Sequence, residues 1–131
     1  MSQNNSLTTD ANGMTFLPSH EAFEAMLRPR RPTQDGFFDN YEPWTAVCFS
    51  AKWCAPCKRL DKKSIVAATP HIKWYSCDID ENTTTLGYCS LKSIPSFVLI
   101  KAGTFVDNKA SVANAEDVLE WLANKGAPVS K

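Results

Sequence analysis

The strongest periodic pattern in the chain lies near its end. Val118, Leu119, Trp121 and Leu122 share one helical face, Asn114 stands before them as a cap with Asp117 at the acidic third position, and Gly126 follows as a stop. A second helical face, Ala22, Phe23, Met26 and Leu27, follows Ser19, and the prolines at 29 and 32 end it. Trp44 to Ser50 (WTAVCFS) is apolar or small almost throughout, as in a central strand covered on both faces. Ile72 to Ile79 reads as another strand, and Thr15 to Leu17 as a short first one. Ser96 to Lys101 and Thr104 to Val106 flank Lys101-Ala102-Gly103, which predicts a hairpin. Between these lie a helix from about Cys57 to Ala68 and a weaker one over Thr83 to Ser90, where three threonines and Gly87 oppose helix formation. The order is β-α-loop-β-α-β-α-β-β-α, an α/β pattern without repeats.

Composition narrows the class. The 131 residues suffice for one ordinary core. Fourteen basic and fourteen acidic side chains cancel, so nothing points to nucleic acid or an anionic membrane. No apolar run is long enough to cross a bilayer. Met1 to Gly13, rich in Ser, Asn and Thr, has neither the basic start nor the apolar stretch of a secretory leader and reads as a flexible arm. Five cysteines, an odd number, argue against a secreted disulfide framework and favour a cytoplasmic protein.

The chemistry concentrates in Ala51-Lys52-Trp53-Cys54-Ala55-Pro56-Cys57-Lys58, between a strand and a helix start. Two thiols three positions apart there can close a disulfide, open it and pass its electrons on. The sulfur at the helix rim meets unpaired backbone N–H groups, which favour its thiolate. Pro56 suits a first turn, where its missing N–H has no intrahelical partner. The bland readings are a structural disulfide or half of a zinc site. Zinc needs two more ligands, and Cys77, Cys89, His20 and His71 offer no second close pair, so no metal is expected.

This motif, the element order and the later Ser93-Ile94-Pro95-Ser96-Phe97 together resemble the thioredoxin family over about Thr15 to Lys125. The resemblance implies a thioredoxin fold, a central mixed β-sheet flanked by helices on both faces. It divides the chain into the arm at 1–13, the domain at 14–126 with an inserted loop at 28–43, and a tail at 127–131. It implies a thiol–disulfide oxidoreductase that reduces protein disulfides, with Cys54 as nucleophile and Cys57 as resolving thiol. Trp53, Ala55, Pro56, Ile94 and a cis Pro95 would hold the incoming chain. No cofactor is needed. The implied partners are disulfide-containing proteins and an electron donor such as thioredoxin reductase or another dithiol, and the implied state is a monomer. The alternatives are a redox-idle adaptor of the same fold, or a carrier serving one peroxidase or one reductase.

Several positions depart from that family. Cys48 stands where a buried acid is usual, and Ser76 where a lysine often faces it. A neutral buried thiol is a poor base, so resolution by Cys57 is expected to be slower than in relatives that keep the acid. Cys48 itself reads as a core residue or, more sharply, as a third redox thiol. Lys62 falls near the usual mid-helix proline, which implies less kinking of the helix after the motif, and a glycine is missing near Ser111. Trp53 is expected on the surface beside the thiols, and Trp44, Trp74 and Trp121 in packing. Cys77 and Cys89 read as core or half-exposed thiols, with regulatory oxidation the alternative if they are exposed. The loop at 28–43, basic and then aromatic and acidic, is either a tolerated insertion or a docking segment.

Overall fold

The structure, a computed structural model, describes residues 8–28 and 44–130. Its elements are β1 (Thr15–Phe16), α1 (His20–Met26), β2 (Trp44–Ser50), α2 (Ala55–Arg59), α3 (Lys62–Ala67), β3 (Ile72–Asp78), α4 (Thr85–Tyr88), β4 (Ser96–Lys101), β5 (Thr104–Ala110) and α5 (Ala115–Asn124). The sheet runs β1-β3-β2-β4-β5. β1, β3 and β2 are parallel, and β4 and β5 join antiparallel. This is the mixed sheet expected, with β2 at its centre.

Alternation along β2 and β4 divides the core between the two faces. Ala46, Cys48, Phe97 and Leu99 pack with Ile65 of α3 and Val118, Trp121 and Leu122 of α5. Val47, Phe49, Val98 and Ile100 pack with Phe23 of α1 and with Cys77, Cys89 and Leu91. A strand with both faces buried must be apolar at every position, which is why β2 reads as a continuous run. Fully burying a residue such as Phe23 contributes about 1.5–3 kcal/mol.

The helix ends follow local chemistry. Ser19 Oγ accepts from the Ala22 N–H at 3.1 Å, and Asn114 Oδ1 from the Asp117 N–H at 2.9 Å. Trp74 buries its indole and donates to Thr69 Oγ1 at 2.8 Å.

Four expectations need correction. The helix expected unbroken from Cys57 to Ala68, and less kinked for want of proline, is instead two helices parted at Leu60 and Asp61. No proline is required for the break. Asp61 accepts from the Ser64 N–H at 3.1 Å and from its hydroxyl at 2.7 Å, starting a new helix at Lys62. β5 runs to Ala110 although its apolar residues stop at Val106, because β4 supplies the ladder: Asn108 pairs with Val98 and Lys109 with Phe97. Residues 8–13, read as arm, fold back with Thr9 bridging Thr15, and Asp10 Oδ1 accepts from the Asn12 and Met14 N–H groups at 2.9 Å. Residues 127–130, read as tail, also pack: Ala127 is buried, and the Ser130 N–H donates to the Ala68 carbonyl at 2.7 Å. Residues 1–7, residues 29–43 of the expected loop, and Lys131 lie outside the described residues.

On the α5 face, Trp121 Nε1 donates to Asp107 Oδ2 at 2.9 Å and Lys125 Nζ lies 3.3 Å from the same oxygen. Burial opposes the Asp107 carboxylate, but these donors and the Asn108 N–H outweigh it and hold its pKa below the usual range. A depressed carboxylate stabilises the fold above the unfolded pKa, and that contribution fades as pH falls through the folded value. Asp107→Ala is therefore expected to cost about 1 kcal/mol at neutral pH by urea denaturation, with the difference shrinking well below about pH 3.9.

Candidate active site

The site forms where the chain leaves β2 and starts α2. Cys54 is the N-cap of α2, in extended backbone conformation, and Pro56 sits in the first turn. The Cys54 N–H donates to the Ala51 carbonyl at 3.1 Å, which closes the approach. The Cys57 N–H points back and donates to Cys54 Sγ at 3.2 Å. A sulfur in that position takes the place of a capping oxygen, so an anion there would be met by a fixed donor. Because α2 is only five residues long, the directed N–H group matters more than any macrodipole.

Cys54 and Cys57 form a disulfide with their Cα atoms 5.3 Å apart, within the ordinary range. Cys54 is the more exposed, but only at 4% against 1%. The accessible sulfur expected from the sequence is therefore recessed in this oxidised form. Ala51, Ile79 and Ile94 surround the pair with apolar surface.

The other expected contact residues gather around it. Trp53 is 65% exposed and donates through Nε1 to Asp80 Oδ2 at 2.8 Å, which holds the ring as a wall beside the disulfide. Ala55 and Pro56 are exposed, and the Ile94–Pro95 peptide bond is cis. Pro56, Ile94 and Pro95 line one groove with Arg59, Ser111, Val112 and Ala113. Ser111, Val112 and Ala113 carry no local signal as groove residues, because nothing in the sequence marks a loop more than 50 positions from the motif as its neighbour. Ser111, at the place of the missing glycine, takes a left-handed φ of 57° and is hydrogen-bonded at 3.0 Å to Ser93.

The remaining thiols are buried. Cys48 lies opposite Ser76 in the β2–β3 register. Burial pushes its pKa up to about 12, with Lys62 pulling the other way and Asp10 and Cys77 adding to the rise, so it stays protonated at neutral pH and is no proton acceptor. Cys77 is raised to about 12 by burial and by Asp78, and Cys89 to about 11 by burial. Trp74 and Trp121 are buried as expected, while Trp44 is half-buried beneath the Lys101 ammonium, 5.0 Å from the ring centroid. Among the described residues, no three His, Cys, Asp or Glu side chains gather to hold a metal ion.

A disulfide capping a short helix after the central strand of a mixed sheet, beside a cis-proline loop, defines a thiol–disulfide oxidoreductase of thioredoxin fold. Comparison with known proteins agrees. The Thioredoxin family profile matches residues 36–124, and on that match the chain belongs to the thioredoxin family. It is 31% identical to a thioredoxin of Geodia cydonium over 98 residues, covering 73% of this chain and 92% of the relative. It is also 31% identical to thioredoxin H-type 1 of Nicotiana tabacum over 86 residues, covering 64% and 68% of the two chains. Its backbone superposes on Fasciola hepatica thioredoxin with a TM-score of 0.65 at 25% identity, covering 84% of this chain and 97% of that one. Thioredoxin from Trypanosoma brucei brucei gives a TM-score of 0.68 at 20% identity, covering 91% and 96%.

Cys48→Asp places a carboxylate in the buried centre of β2, where the native thiol remains neutral. It is expected to speed resolution of a pre-formed mixed disulfide several-fold near neutral pH in stopped-flow single turnover. An unchanged rate would show that no acid is missed at that position.

Proposed function

We propose that this protein-disulfide oxidoreductase works in the reducing direction, with Cys54 as the attacking sulfur and Cys57 as the resolving one. The observation that carries the assignment of roles is the cap: the Cys57 N–H donates to Cys54 Sγ and not the reverse. The reduced protein would therefore favour its thiolate at Cys54, while Cys57 is held one turn inside the helix. The exposed Trp53 and the groove at Ile94 and Pro95 give an extended substrate segment a surface on either side of the pair.

In the first step the Cys54 thiolate attacks one substrate sulfur. The new bond is Cys54–substrate, and the second substrate sulfur leaves with the electron pair and takes a proton. Cys57, once deprotonated, attacks Cys54, and the Cys54–Cys57 bond replaces the mixed disulfide. The substrate gains two electrons and two protons, and the carrier ends oxidised as in the present structure. A donor such as thioredoxin reductase, or another dithiol, restores the thiols, which makes the protein an electron carrier in redox homeostasis. Three buried free thiols beside one exchangeable disulfide suit a monomer working in the cytoplasm.

Two measurements test this. In insulin reduction with dithiothreitol, the wild-type chain is expected to raise the rate well above the uncatalysed control, and Cys54→Ser to abolish the increase. An idle adaptor would give no increase. Cys57→Ser is expected to trap substrate covalently on Cys54, and adducts found on Cys57 in the Cys54→Ser variant alone would reverse the assigned roles.

A further inference from the structure

The break between α2 and α3 changes the chemistry behind the disulfide. In an unbroken helix the Cys57 carbonyl would accept from the Asp61 amide, four residues on. The turn at Leu60 and Asp61 removes that partner, and Lys62 takes its place, donating from Nζ to the Cys57 carbonyl oxygen at 2.7 Å. The Lys62 side chain is half-buried and lines an open cleft of about 240 Å³ on the inner side of the active-site loop. Asp10, Ser50, Lys52, Ser76 and Asp78 line the same cleft.

We infer that Lys62 is a positioning residue for the resolving step, its tethered ammonium favouring the Cys57 thiolate that attacks the mixed disulfide. The inference rests on the resolving role of Cys57 given above. The charge balance around Cys57 can be read element by element. Cys48 on β2 is neutral, and Ile94 and Pro95 before β4 carry no charge. Lys58 and Arg59 on α2 itself are exposed and screened by solvent. Trp53 already engages Asp80. Asp78 at the end of β3 and Asp10 in the N-terminal turn are the acidic groups of the cleft, and Lys52 is exposed at its edge. Asp10 is occupied through Oδ1 by two backbone N–H groups. Lys62 is thus the cation bonded directly to the Cys57 residue.

The step balances without a protein base. Cys57 releases its proton to solvent, its thiolate attacks Cys54 Sγ, and the substrate sulfur leaves with the electron pair and is protonated in its turn. An opposite charge held close to a thiol lowers its pKa by about one unit or more. Removing Lys62 should therefore reduce the thiolate fraction roughly tenfold at a pH below both values. The more basic sulfur is also the better nucleophile, by about threefold for one unit, so the net slowing is roughly three- to fourfold.

Three variants separate charge from tether. Lys62→Arg keeps both, Lys62→Gln keeps a donor without charge, and Lys62→Met keeps neither. The Cys57 Cβ resonance of the reduced full-length chain is followed against pH, together with the pH profile of mixed-disulfide resolution. Lys62→Gln and Lys62→Met are expected to raise the Cys57 titration midpoint by about one unit and to slow resolution as above. Lys62→Arg is expected to stay near wild type, and the Cys54 capture rate to be unchanged in all three. An unmoved Cys57 midpoint in Lys62→Gln and Lys62→Met overturns the inference, as does a wild-type profile in Lys62→Gln, which would reduce Lys62 to a tether. Neither result touches the roles of the cysteines, which are read separately by trapping on Cys57→Ser.

Discussion

The constraint on which the site depends is a helix that begins with a sulfur as its cap. A first turn leaves N–H groups without partners, and at Cys54 one of them is met by a side chain that can also break and form bonds. The same hydrogen bond therefore caps the helix start and points a fixed donor at one of the two sulfurs. Pro56 can occupy that turn because it has no N–H to leave unpaired there.

The rest of the fold holds this turn in place. β2 is flanked by β3 and β4 and covered on both faces, so its C-terminal end has little freedom. The chain leaves it over Ala51 and enters α2 at once, while the Ile94–Pro95 loop arrives from the start of β4, next to β2 in the sheet. Strand order thus brings together residues forty positions apart. The break after α2 adds a second consequence. An orphaned carbonyl recruits Lys62, whose ammonium is held at the main chain of Cys57.

Much of this could be read from the chain. β2 and β4 have the bounds expected from their apolar runs, and α5 shows the cap and buried face that its period implied. Trp53-Cys54-Ala55-Pro56-Cys57 was recognisable because each residue type has a local reason to stand at its position. The misses share a different cause. β5 beyond Val106 is polar and takes its conformation from β4, and the residues flanking the domain at either end fold because the core offers them a surface. The helix break had a local signal, Asp61 followed by Ser64, but the uninterrupted run of helix-tolerant residues from Lys58 to Ala68 concealed it.

By itself the sequence determined the local matters: periodicity, caps, a turn-compatible proline, and two thiols at a spacing that a helix start makes reactive. Those depend on neighbours within a turn or two, which a linear reading sees. Only the tertiary structure decided what the side chains in and behind the site meet through space: Asp80 holding Trp53, Ser111 lining the groove, Cys48 kept neutral by burial, and Lys62 reaching back to the Cys57 carbonyl. Electrostatics and burial depend on distance through space, and the chain records only distance along itself.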